Sequence, residues 1–161
     1  MNSIDRQSGL ATVEFAIVAG VLLTVILAII DISRLYFSVA SLNEATRRGV
    51  RIAVVCPVDD PAIAQVAVFN ASGNAGTSPI VYGLQPQHID VDYLNANGTP
   101  VASPGGAGYM NIRYVRVRIN GGFQLQTIIP GFAQLLSVPD FAATLPRESL
   151  GIPRVGVVVP C

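Results

Sequence analysis

The chain has no lysine and no tryptophan, a single histidine, His88, and only two cysteines, Cys56 and Cys161. Its ten basic residues are all arginine and are matched by ten acidic ones, so net charge is zero. That balance excludes the broad basic footprint by which nucleic acids are held, and no nucleic-acid partner is expected. One histidine excludes a metal centre built on several imidazoles, and any Ser-His-Asp grouping would have to use His88. No G-x-S-x-G turn accompanies it, so His88 reads as a solvent-facing or hydrogen-bonded strand residue. The two cysteines show no C-x-x-C spacing. The glycine-rich stretch 105–108 lacks the Lys and Ser or Thr of a phosphate cradle. Asp59 with Asp60, and Asp90 with Asp92, are the pairs available for acid–base work or a cation, and solvated faces explain them equally well. The reading is of a protein without metal, cofactor or catalytic residues.

Apolar sequence is what the chain has in quantity. Hydrophobic residues make up 51% of it and mean hydropathy is +0.52, as in a chain where a membrane segment is averaged with a globular part. Residues 10–30 read LATVEFAIVAGVLLTVILAII. At about 1.5 Å per residue this run spans about 31 Å, the thickness of a bilayer's hydrocarbon core. A removable secretory signal has a shorter apolar core, about 7 to 15 residues, and a small-x-small cleavage site, which is missing here. Within the run stands one carboxylate, Glu14. At mid-membrane it would cost about 2.5 to 3.5 kcal/mol, so it needs a partner, an interfacial position or a function.

The polar leader 1–9, MNSIDRQSG, carries Arg6 and ends in Gly9; a cut there puts Glu14 at the fifth and Phe15 at the sixth position of the shortened chain. With these features RQSGLATVEFAIVAGVLLTVILAIIDISRLYF resembles the start of TadE-like minor pseudopilins of the tight-adherence (Flp, type IVc) pilus system, a resemblance that runs over about residues 6–55. It implies that a prepilin peptidase on the cytoplasmic side removes the leader between Gly9 and Leu10. It also implies partners: other pilin or pseudopilin subunits, the pilus assembly platform and the lipid bilayer. The new α-amine at Leu10 would lie one helical turn from Glu14, able to neutralise the carboxylate of its own chain or a neighbour's, which makes Glu14 an assembly contact. Arginine counts point the other way, with Arg6 before the span and Arg34, Arg47 and Arg48 within about 20 residues after it. The leader is nevertheless placed inside, because processing requires it and two cysteines suit an oxidising exterior.

Beyond residue 30, Ile32, Leu35, Tyr36, Val39 and Leu42 recur at three and four, so the helix continues outward as an amphipathic one to about residue 55. Asp31 with Arg34, and Glu44 with Arg47 and Arg48, could pair weakly on its surface, which reads as a solvated helix face; alternatively Arg47, Arg48 and Arg51 form a basic patch for a subunit or for headgroups. Pro57 ends this helix, and Asp60-Pro61 is a cap for a second over 62–70. Strands are expected at 80–82, 88–93, 111–119 and 141–145, with a long mobile connection between the second and third. A short helix is expected at 132–136, and the apolar tail 155–161 reads as a strand. Cys56 and Cys161 are expected to pair, which across 105 residues would contribute about 4 to 5 kcal/mol in the chain-entropy model.

The chain thus divides into a leader (1–9), a transmembrane helix (10–30), its outward continuation (31–55) and an exported domain (56–161). The fold class is α+β, and the resemblance implies a pilin-like helix packed on a small antiparallel sheet, single-pass in a bacterial inner membrane with its C-terminal domain in the periplasm or pilus. The alternative is an unprocessed, signal-anchored periplasmic binding domain.

Overall fold

The computed structural model describes residues 4–120, 122–125, 140–152 and 160–161, with side chains from Gly9 onward. The expected helix at 132–136 and most of the expected tail strand lie outside the described residues. Helix α1 (Ile4–Ala53) runs unbroken for 50 residues, about 75 Å at 1.5 Å per residue. Its two halves have different surroundings. From Gly9 to residue 30 its apolar side chains are almost all exposed, whereas from Asp31 a protein-covered stripe begins, Asp31, Leu35, Ser38, Leu42, Ala45 and Gly49, spaced by three and four. The helix frays after Ala53, where Val54 and Cys56 still donate to carbonyls four residues back and Pro57 stops further turns.

Helix α2 (Pro61–Ala67) starts as the sequence indicates: Asp60 is extended, its Oδ1 accepts from the Ala62 N–H at 2.9 Å, and Pro61 occupies the first turn. It is shorter than expected, because Phe69 turns into the left-handed region at φ 67° and Asn70 folds back on the Gln65 carbonyl.

Strands β1 (Ile89–Leu94), β2 (Tyr114–Ile119) and β3 (Ala142–Pro146) form an antiparallel sheet in that order. Register pairs Val91 with Val117 and Tyr93 with Val115, then Val115 with Leu145 and Val117 with Ala143. Because side chains alternate, these residues share the inner face, against which the outer half of α1 packs together with α2. The arrangement is α+β, a long N-terminal apolar helix whose end is seated on a small antiparallel sheet. Asp90, Asp92, Arg116 and Arg118 occupy the outer face.

Three local expectations are corrected. Residues 80–82 are a turn, not a strand: the Ser78 hydroxyl accepts from the N–H groups of Ile80 and Val81, and Gly83 takes φ 77°, so the backbone donors a strand would offer a neighbour are used locally. Strand β2 begins three residues later than the alternation suggests, since Tyr109–Asn111 form a single 3-10 turn. The connection between β1 and β2 is tied down rather than loose. The Asn95 side chain accepts from Asn97 and Thr99 N–H groups at 2.9 and 3.1 Å, Val101 N–H donates to Tyr93, and Arg113 N–H donates to Leu94.

Candidate functional site

Residues 9–15 form one continuous stretch of α1, and the expected processing residues follow from its pitch. Leu10 and Glu14 stand four apart, on one face and about 6 Å apart along the axis, while Phe15 projects about 100° further round. Leu10, Glu14 and Phe15 are exposed, and a Cβ placed on Gly9 would meet nothing within 4 Å. Among the described residues no side chain pairs with Glu14. The Gly9–Leu10 peptide is itself helical, and glycine makes opening a helix there about 1 kcal/mol cheaper than alanine would.

The apolar run that follows is chemically suited to lipid. It is long and apolar enough to cross a bilayer and almost none of it is buried, so it is a candidate membrane anchor. Its hydroxyls are satisfied within the helix: Thr24 donates to the Gly20 carbonyl and Ser33 to that of Ile29, each at 2.8 Å. Asp31 is only 2% exposed although Ile30 and Ile32 beside it are open.

Farther out, the possible surface ion pairs of Glu44 along α1 are not made. Among the described residues none joins Glu44 to Arg47 or Arg48. The Arg48 guanidinium instead sits 5.0 Å over the Phe69 ring. Arg47 and Arg51 border an open cleft of about 420 Å³ against residues 142–145.

The candidate carboxylate pairs are occupied structurally. Arg116 gives Asp92 Oδ2 two hydrogen bonds, at 3.0 and 2.8 Å, and Arg118 reaches both Asp90 and Asp92 at 3.3 Å. Asp60 caps α2 and also accepts from the Cys161 N–H at 3.3 Å. Among the described residues no group of three or more potential metal ligands converges. His88 closes a 3-10 turn, its Nδ1 accepting from the Gln85 N–H at 3.1 Å, with its ring against Phe123. Asp59 lies at φ 61° and donates its N–H to the Tyr93 hydroxyl at 3.0 Å. Burial, and then the Asp59 and Asp60 charges, raise the Tyr93 pKa above its ordinary value, against the lowering effect of that hydrogen bond.

Cys56 and Cys161 are joined by a disulfide, Cα to Cα 5.8 Å, which fastens residue 161 to the point where α1 ends. Two close approaches nearby were not anticipated from sequence. Gly49 carries no side chain where α1 crosses α2 and β2, and Gly151, at φ 77°, lies against Pro57. Their only sequence signal is a glycine inside or beside an otherwise regular pattern.

With the helix described, the comparison with known families can be placed on it. Residues 9–51 match the family model described as TadE-like protein. Over this stretch the chain is similar to the TadE-like family. The TadE-like segment starts at Gly9 and ends just before the close of α1, so it takes in the exposed apolar run and most of the sheet-packed half, and leaves out α2 and the sheet. No curated protein and no solved structure matches the chain.

Proposed function

We propose that this protein is a minor pilin or pseudopilin of a tight-adherence pilus, anchored in a bacterial inner membrane by the TadE-like helix and cut between Gly9 and Leu10 by a prepilin peptidase. The observation that carries the reading is the head of that helix: an exposed apolar run that opens on Gly9-Leu10 and holds its one carboxylate, Glu14, a single turn further on. Cleavage changes what Glu14 is electrostatically. In the uncut chain it lies in the interior of α1; in the cut chain it lies at the start of the helix, where the macrodipole favours an anion by about 0.3 to 1 kcal/mol. The new amine at Leu10 adds a positive charge on the same face. Glu14 thereby becomes tolerable beside lipid and available to a neighbouring subunit's amine. The disulfide-closed domain stands outside the membrane, and its partners are the peptidase, other pilin subunits, the assembly platform and the bilayer.

The test is the intact mass of the protein extracted from its host's membranes, beside a Gly9→Leu variant and a strain lacking the peptidase. A native chain that begins at Leu10, with both controls full length, is the expected result. Glu14→Ala is expected to be cut yet missing from assembled pili. A native mass that retains residues 1–9 would overturn the processing step.

A further inference from the structure

The exposed surface of α1 continues past the hydropathy-defined span. Tyr36 and Phe37 are 73% and 59% exposed, on the sides of the helix turned away from the domain, while Leu35, Ser38 and Val39 on the opposite side are partly covered. Were the hydrocarbon core to cover residues 10–30, these two rings would stand about 9 and 10.5 Å beyond its edge, past a headgroup layer of about 5 to 7 Å. Glu14 would meanwhile lie about 6 Å inside the core. Both positions are unfavourable, and both are relieved by one displacement.

We infer that α1 sits about four residues further toward the cytoplasm than hydropathy indicates, with the hydrocarbon core over about residues 14–34 and Tyr36 and Phe37 as an aromatic collar in the outer lipid headgroup layer. Twenty residues at about 1.5 Å span the required 30 Å. Glu14 then falls at the inner boundary and exposed Arg34 at the outer one, where their charged ends reach water and phosphate. The rings follow at about 3 and 4.5 Å beyond the outer edge, the depth at which amphipathic and aromatic side chains are most favourable. A separate feature agrees. Asp31 would lie about 4.5 Å inside the core, and it alone in that turn is buried, at 2% exposure, among exposed Ile29, Ile30 and Ile32. A carboxylate at membrane depth belongs on the protein side of the helix, and that is the side Asp31 takes. Because the covered stripe of α1 starts at Asp31, the near end of the domain dips into the bilayer's outer boundary rather than standing off on a stalk.

The inference rests on the membrane-anchor part of the proposed function, and the experiment separates the two. Since the chain has no tryptophan, single substitutions give one fluorophore each. Leu22→Trp, Tyr36→Trp and Phe37→Trp in the full chain would be reconstituted in phosphatidylcholine vesicles carrying bromine either deep in the acyl chains or near the headgroup. The expected result is that position 22 is quenched at least twofold more by deep bromine, and positions 36 and 37 at least twofold more by shallow bromine. Quenching at 22 with none at 36 and 37 would put the collar in water and overturn this inference while the anchor stands. Stronger deep than shallow quenching at 36 and 37 would also overturn it, by placing them in the core. No quenching at any of the three would remove the anchor itself.

Discussion

Replacing Gly49 with alanine sets two effects of comparable size against each other. A Cβ at this position would lie 2.9 Å from the Ala67 Cβ on α2 and 3.0 Å from the Val117 Cγ1 on β2. Carbon atoms prefer separations of about 3.5 to 4.0 Å, so α1 would have to withdraw by about 0.5 to 1 Å from both neighbours at once. Overpacking of this kind costs about 1 to 3 kcal/mol. Against it, alanine in mid-helix gains about 0.8 to 1 kcal/mol over glycine. The clash is expected to prevail, because neither contact is the free end of a flexible side chain that could swing aside. The net loss is about 0 to 2 kcal/mol for Gly49→Ala, and about 2 to 4 kcal/mol for Gly49→Val, which adds two further carbons. At about 4 °C per kcal/mol for a domain of this size, valine lowers Tm by about 8 to 16 °C. Gly20→Ala is the matched control: nothing lies within 4 Å of its Cβ, so only the propensity gain remains. The assay is thermal unfolding of the full chain in detergent, followed by near-ultraviolet circular dichroism of buried Tyr93, because the far-ultraviolet signal would be dominated by micelle-protected α1. If Gly49→Val melts with the wild type, the helix does not approach the sheet as closely as described and the reasoning fails.

Removing the disulfide by Cys161→Ser releases a closure of 105 residues, worth about 4 to 5 kcal/mol in the chain-entropy model, so Tm should fall by well over 10 °C. Reductant should produce the same fall in the wild type and none in the variant; a variant melting within a few degrees of wild type would contradict this. Tyr93 supplies a pH dependence. Its folded-state pKa is raised above the unfolded value, so its contribution is complete below the unfolded pKa and is lost as pH rises through the folded one. Melting temperature should therefore decline as pH climbs beyond about 10, and decline less in Tyr93→Phe, which has no phenol to ionise; equal slopes in the two proteins would count against it.

The exposed apolar part of α1, the candidate membrane anchor, was legible because its signals are local. An apolar run of bilayer length, a glycine at its head and a carboxylate one turn beyond are properties of consecutive residues, and the helix that bears them needs no tertiary contact to be recognised. The Asp60-Pro61 start of α2 was legible for the same reason, since the cap and the first turn are written within four positions. Strands β1 and β2 emerged from alternation, but their starts did not, because the turns at Pro86–His88 and Tyr109–Asn111 take residues that fit a strand equally well. The failure at residues 80–82 has a similar cause: three residues of strand character lost to a serine hydroxyl that claims their donors.

By itself, then, the sequence determined the α+β class, the exposed apolar helix with Glu14 near its head, and the start of the second helix. Tertiary structure alone decided which carboxylates are free to act: Asp90 and Asp92 are taken by arginines from the next strand, Asp60 by a helix start and the far end of the chain, and Asp31 is placed on the covered side of its helix. It also decided that Gly49 is closely packed within the chain and Gly20 is not, though both are lone glycines in one helix. The physical reason is range. Helix pitch and hydropathy act between near neighbours in the chain, whereas pairing, burial and close approach depend on residues brought together from far along it, 18 positions for Gly49 and Ala67 and 105 for Cys56 and Cys161.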